Sequence, residues 1–383
     1  MGIGSIGILS TWRTVCGIAN FTADYHAGLA ELGHQADIVP IDRDSLRHLA
    51  RRELGAAFDD LAEQLCAFDI VHIQHEFGFF LGSYGMNDSI ANFHRVLHRV
   101  NTARRPVVIT FHTLPPFHGP RNRLGGLARE ATLRALWRTR VVRDLQGPRV
   151  RAVVHTRLLR RALVDAGIPA ASIKLIPCGS PPPVEQMDAD EAKAALGYGP
   201  TDRVLVIFGF VSGYKGHRVA VEALRSLPAE YHLAIVGGPN PQVNDLAFDE
   251  VLQKSRRPRL AERVRVTGYV PFSDMRLYSS AADIVLAPYV TADLASSAAI
   301  TWAMASGHPV IASRIPAFQE LNEGVPRMVL ATPRAPSELA HRILQLDQDE
   351  ALKAELVKNA LAYVTEHSWR SVCQEYLDLY SSL

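Results

Sequence analysis

The sequence has little cysteine: Cys16, Cys66, Cys178 and Cys373 are the four in 383 residues. No two form a C-x-x-C pair, so their spacing supports neither a zinc knuckle nor a disulfide framework and fits a reducing cytoplasm. Long apolar runs are missing as well. None approaches the ~18–20 residues of a membrane span. The first residues carry no basic stretch leading into a long apolar one, so no secretory signal is expected. Net charge is only +2. With 48% hydrophobic and 21% charged residues, the composition excludes a disordered chain. At this length two domains are the natural division.

The small net charge hides an uneven distribution. The stretch 121–161 holds twelve arginines, no lysine and two acids, Glu130 and Asp144, for a local charge of +10. Such asymmetry points to an anionic partner for one face. The arginines interleave with an apolar stripe at helical spacing: Leu133, Leu136, Trp137, Val141 and Leu145. The stripe reads as core and the arginines as a solvated face. The sharper alternative is contact with anionic lipid headgroups or a phosphorylated acceptor. No aromatic stacking pattern accompanies the charge, so nucleic acid is not an expected partner.

What the sequence does have is alternation. Short apolar runs predict strands at 6–9, 36–41, 69–74, 106–111, 151–154 and 174–176, with helical patterns between them. Phe21, Tyr25, Leu29 and Leu32 mark the first helix, and Gly33 caps it. After a proline-rich linker at 177–186 the pattern restarts, with strands at 204–208, 232–236, 264–267, 284–287, 309–312 and 327–330. Strands alternating with helices predict parallel sheets covered on both faces. The expected fold is α/β: two Rossmann-like, doubly wound domains, 1–180 and 181–367, with a final helix at 368–383 crossing back to the first domain. Ligands in such sheets bind at the carboxyl ends of the strands, and the cleft between facing domains is the expected active site.

One stretch carries chemistry. After the run Val204 to Phe208 comes Gly209-Phe210-Val211-Ser212-Gly213-Tyr214-Lys215-Gly216, and then a helical pattern. Strand, glycine loop and helix form a phosphate cradle: small residues let the backbone approach, N–H groups point at the oxyanion, and Lys215 supplies charge. Taken alone, the stretch also fits an ordinary turn with a solvated lysine. Two other motifs are decoys. Gly2-Ile3-Gly4-Ser5-Ile6-Gly7 has the dinucleotide-binding spacing, but its glycines precede a strand rather than follow one. Asp188-Ala189-Asp190 resembles a metal-binding D-x-D but reads better as an acidic helix N-terminus. No other Asp/His cluster shows ligand spacing, and no catalytic metal is expected.

The assembled motifs resemble family 4 retaining glycosyltransferases of the GT-B fold. In the second half the resemblance rests on the Gly209–Gly216 loop, Ile235-Val236-Gly237-Gly238-Pro239, Val266-Thr267-Gly268-Tyr269-Val270, the run from Leu277 to Pro288, and Ala303-Met304-Ala305-Ser306-Gly307-His308-Pro309. In the first half it rests on Cys16-Gly17-Ile18-Ala19, Val71-His72-Ile73-Gln74-His75-Glu76-Phe77-Gly78 and Thr110-Phe111-His112-Thr113. The resemblance implies transfer of a hexose from a nucleotide-diphosphate sugar, of UDP or GDP type, to a sugar, lipid-linked or small-molecule hydroxyl acceptor. No cofactor beyond that donor is implied. Lys215, with Gly209 and Gly213, would neutralise the pyrophosphate. Ser296, Ser297 and Ala298, opening a helix, would meet the phosphates or sugar hydroxyls, and Gly237, Tyr269 and Val270 would hold the nucleotide. His112 would reach the donor sugar. Trp12, Arg13, Cys16 and Gly17 would approach the β-phosphate and the acceptor. His75 and Glu76 are the alternative acid/base pair, unless Glu76 serves as a helix cap. His155, followed by Thr156 and Arg157, reads as a cap. The implied location is cytoplasmic, with the arginine-rich stretch as a peripheral membrane contact.

The chain departs from the family pattern at three positions. Phe210 stands where an arginine is usual, and Leu294 and Trp302 replace two glutamates, with Asp293 beside the first. These losses keep open a non-catalytic sugar-nucleotide-binding subunit, and a phosphorylase or epimerase of the same fold.

Overall fold

In the computed structural model, the described residues are 3–115, 117, 124–240, 246–294 and 297–383. They divide into two units: Met1–Gly179 with Trp369–Leu383, and Ser180–Ser368. Each is built on a six-stranded parallel sheet.

The first sheet comprises β1 (Ile6–Ser10), β2 (Ala36–Pro40), β3 (Ile70–His75), β4 (Val107–Phe111), β5 (Val150–Val154) and β6 (Ile173–Leu175). Their order is β2-β1-β3-β4-β5-β6. The second comprises β7 (Arg203–Phe208), β8 (Tyr231–Val236), β9 (Val264–Val266), β10 (Ile284–Ala287), β11 (Val310–Ser313) and β12 (Val329–Ala331). Its order, β12-β11-β10-β7-β8-β9, is that of a dinucleotide-binding sheet. All twelve expected strands form. They read as unbroken apolar runs because helices cover both faces. The direction of winding reverses between β1 and β3 in the first unit and between β7 and β10 in the second. In open α/β sheets, that reversal is where the loops splay and ligands bind.

Several local readings resolve. Asp188 caps the helix Ala189–Ala195, accepting from the Glu191 N–H at 3.0 Å. Thr156, not His155, caps the helix Arg157–Asp165 through the Leu159 N–H. The 177–186 segment is fastened rather than loose. Within the second unit the Val184 N–H donates to the Ala305 carbonyl at 2.8 Å, and the Ser180 N–H to that of His367 at 2.9 Å. Leu133, Trp137, Val141 and Leu145 are buried, and Arg129, Arg138, Arg140, Arg143 and Arg149 face solvent. The arginines at 121 and 123 lie outside the described residues.

The last helix, Trp369–Ser381, belongs to the first unit. It packs on the helix Gly17–Glu31, where Gly28 lets Cys373 approach: a Cβ at Gly28 would lie 2.7 Å from Cys373 Sγ. Val372, Cys373, Tyr376 and Tyr380 are buried there with Phe21, Tyr25 and Leu29. Substituting Gly28→Leu is therefore expected to force the two helices apart. A loss of about 1–3 kcal/mol, read as a lower urea midpoint by circular dichroism, checks this contact.

Candidate functional site

In the second unit the glycine loop lies at the β7/β10 reversal. Three close backbone approaches shape it. The loop folds against β8, with Val211 N–H donating to Gly238 O at 2.8 Å. A Cβ at Gly237 would lie 2.2 Å from Gly209 O, so only glycine fits. Gly216 is left-handed at φ +73°, and a Cβ there would lie 1.9 Å from Pro288 O, on the loop after β10. The Lys215 side chain turns back over the loop: a Cβ on Gly209 would meet its Nζ at 2.8 Å.

Lys215 is 6% exposed, and burial pushes its amine down to about 8 with no other cause. Its Nζ stands 6.0 Å from the Phe210 ring centroid, so the residue in place of the usual arginine offers the ammonium a π face. Phe210 in turn meets the Tyr269 ring edge-on at 6.1 Å. Tyr269 covers Gly238, where a Cβ would lie 2.9 Å from its ring, and donates its hydroxyl to the Pro239 carbonyl. Beside Lys215, the Ser212 hydroxyl and both ring nitrogens of His217 are buried without hydrogen-bond partners among the described residues.

The helix Ala298–Ala305 opens on the same side of β10, with extended Ser297 at its N-cap. Its first turn has no acidic residue, and Tyr289 OH fixes Ser297 Oγ at 3.0 Å. Ser296 lies outside the described residues. Asp293 is exposed on the same loop, and Val270 packs against the core. Gly213 begins the short turn that carries Lys215. Sequence reasoning missed Tyr289 and His217, which carry no motif of their own, and gave no role to Ser212 within the glycine loop.

In the first unit the candidate residues part company. His112 sits at the end of β4 with Nε2 2.7 Å from Gln74 Oε1, so the amide oxygen accepts from Nε2–H and Nδ1 is left as an acceptor. The Gln74 amine meets His72 Nε2 at 3.3 Å, and His72 Nδ1 meets Tyr380 OH at 2.6 Å. Tyr380 continues to Tyr25 OH at 2.7 Å, while Thr110 links His72 to Tyr376 at 2.8 and 2.9 Å. A polar chain thus runs from the last helix through the sheet to His112. Burial holds both His72 and His112 well below the usual imidazole range, and so neutral. The signal in sequence was the period-two pairing of His72 and Gln74 on one face of β3; their partners on the last helix gave none.

His75 is not brought to this edge. It is fully buried on the opposite face of β3, ringed by Phe77, Phe80, Phe93 and Phe111 with centroids 4.2–5.5 Å away. Neither ring nitrogen has a partner among the described residues, and burial pushes its pKa to about 3. The structure thus does not bring His75 together with His112 at the carboxyl edge of the sheet. Glu76 folds back over Gly78. Burial raises its pKa, while Arg43 and the Gly78 and Phe79 amides oppose the rise. His155 hydrogen-bonds the Ile176 carbonyl at 2.9 Å and lies 5.4 Å from the His112 ring.

The loop after β1 is open. Cys16 is buried at the N-cap of the helix Gly17–Glu31, whose first turn has neither a side-chain cap nor an acid. Nothing lies within 4 Å of a Cβ built on Gly17. An N-terminus without a side-chain cap, together with the helix dipole, suits an anion. Trp12 packs against His26 at 5.6 Å, and exposed Arg13 lies over Trp12 at 5.9 Å, with φ at +50°.

Lys215 also makes a pH prediction. Its folded pKa lies below the ordinary 10.5, so the cost of burying a charged amine is present in full below pH 8 and is relieved between 8 and 10.5. Replacing Lys215→Met is expected to stabilise the ligand-free protein at pH 7 by on the order of 1–3 kcal/mol. That advantage should fade as pH rises through this window, as read by thermal melts at a pH series.

Comparison with known proteins agrees with this arrangement. Residues 202–349 match the family described as glycosyl transferases group 1. A D-inositol 3-phosphate glycosyltransferase of Xylanimonas cellulosilytica is 29% identical over 185 residues; the match covers 48% of this chain and 43% of that relative. Among solved structures, HepE of Anabaena in complex with UDP and glucose superposes with TM-score 0.73 at 18% identity, covering 99% of this chain and 100% of that one. Sucrose-phosphate synthase of Thermosynechococcus elongatus gives 0.74 at 18% identity, with 99% and 98% covered. Residues 202–349 thus match the glycosyl transferases group 1 family, and the chain as a whole shares the two-sheet fold of these solved glycosyltransferases.

Proposed function

We propose that this protein transfers a hexose from a nucleotide-diphosphate sugar, of UDP type, to a hydroxyl acceptor, with retention of configuration and without a catalytic metal. The observation that carries the reading is Lys215: a buried amine with no carboxylate to balance it among the described residues, wrapped over a glycine loop at the sheet's reversal point. Such a group waits for an anion. UDP and UDP-glucose occupy the structural relative HepE, which favours UDP among donors.

In this reading Lys215 binds the donor pyrophosphate and stabilises the charge that grows on the leaving UDP. The amides that open the helix Ala298–Ala305, with the Ser297 hydroxyl, take further phosphate oxygens. Phe210 and Tyr269 line the nucleotide side, a less polar wall than an arginine would provide. In the first unit, His112 offers Nδ1 to a hydroxyl of the sugar, and the backbone amides opening the helix at Gly17 take a phosphate oxygen or an anionic acceptor group. We assign no pair of carboxylates among the described residues to a double displacement. The acceptor attacks from the face the leaving phosphate departs, and that phosphate takes its proton. The exposed arginines of the 129–161 region are the surface we assign to an anionic membrane carrying a lipid-linked acceptor. Among the described residues no helix is long and apolar enough to cross a membrane.

The test is a thermal-shift panel of UDP-, GDP-, ADP- and dTDP-sugars, followed by turnover. A donor at ~100-fold its Kd stabilises by about 2.7 kcal/mol, and UDP-glucose is expected to give the largest rise. Lys215→Ala should lose that rise and lower transfer or donor hydrolysis by roughly 10²–10³-fold. Binding without turnover by the wild-type chain would instead favour the sugar-nucleotide-binding subunit suggested by Phe210, Leu294 and Trp302.

A further inference from the structure

On the helix Met86–Thr102, His94 and His98 are one turn apart and project from one face. Their rings lie side by side, with centroids 5.3 Å and planes 20° apart. Opposite them stands Asp144. Its position depends on an uncommon feature: the six-residue π-helix Trp137–Val142 precedes the helical turn Arg143–Leu145. The wider π turn keeps Trp137 and Val141 in the core and presents Asp144 to the histidine pair. Such turns are rare and concentrate at functional positions. Asn101 Nδ2 donates to the Asp144 backbone carbonyl at 3.0 Å and holds the segment there.

One carboxylate oxygen, Asp144 Oδ2, is shared. It lies 3.4 Å from His94 Nε2 and 3.3 Å from His98 Nδ1, and the three atoms are within 4.8 Å of one another. Direct charge-assisted hydrogen bonds would be shorter, about 2.7–2.9 Å. By contrast, ligands at ~2.0–2.1 Å from a tetrahedral zinc ion stand about 3.3–3.4 Å apart.

We propose that His94, His98 and Asp144 form a binding site for a late first-row divalent cation of the zinc class, at the opposite end of the first unit's sheet from His112 and Gly17. The helix reaches the end of the sheet where β4 begins, whereas His112 and Gly17 lie at the carboxyl ends of the strands. The ligand set is two imidazoles and one carboxylate, with a fourth position open to water. The cations facing the cluster are Arg95 and Arg140. Arg95 is paired to Asp59 at 2.8 Å, and neighbouring Arg99 to Glu63 at 2.6 Å, so part of that charge is already neutralised. The site escapes a search for ligand spacing because its third member comes 46 residues after His98.

Zinc titrated calorimetrically into the tag-free, chelator-stripped chain is expected to bind one ion per molecule. Cobalt in its place should give the visible absorption of a tetrahedral centre. His94→Ala, His98→Gln and Asp144→Asn should each weaken zinc by roughly tenfold or more. His98 is 62% exposed on its side chain, so its variant tests the site without disturbing the core. No stoichiometric uptake by the wild type, or equal affinity in His98→Gln and Asp144→Asn, overturns the proposal. Nucleotide-sugar binding should be unchanged in all three variants, which keeps this result independent of the transferase reading.

Discussion

A lysine buried without a counter-charge among the described residues is the constraint around which the second unit is built. Desolvating an ammonium is costly unless something negative arrives. The structure tolerates it because the surrounding backbone is rigid and close. β7, β8 and β10 meet at Gly209, Gly216 and Gly237, where any side chain would strike a neighbouring carbonyl or the lysine itself. Phe210 and Tyr269 provide aromatic faces rather than hydrogen bonds. The cost is local, and a bound pyrophosphate would remove it. In the proposed reaction this would be preorganisation in the electrostatic sense, with the charge in place before it is needed.

The first unit solves a different problem. A neutral histidine at a strand end can take two tautomers, and only a fixed partner selects one. Gln74 does so for His112, and Gln74 is in turn held by His72 and the tyrosines of the last helix. The C-terminal segment is therefore more than a covering for the sheet. Through Tyr376 and Tyr380 it completes the hydrogen bonding behind a candidate sugar-binding residue. Loss of that helix would remove the partner of His72 Nδ1, a cost beyond the missing apolar contact.

The two histidines of His72-Ile73-Gln74-His75 show how far a side chain's fate depends on its face of the strand. His72 joins the polar chain, while His75, on the other face, is enclosed by four phenylalanines. Central parallel strands are covered on both sides, so nothing in the local pattern says which face leads to a ligand. The same limit applies to Asp144, which meets His94 and His98 only because a π turn changes the phase of its helix.

The sequence by itself determined the order and type of nearly every element, because periodicity and glycine placement are local. Twelve apolar runs became twelve strands, and the glycines around Lys215 marked where backbone must approach backbone. The tertiary structure alone decided which side chains converge: Gln74 with His112 across two strands, Tyr380 with His72 across 308 positions, Lys215 turned inward over Gly209. Those pairings come from the register of parallel strands and the packing of distant helices. Their energetics are set by burial, which a residue's neighbours in sequence do not specify.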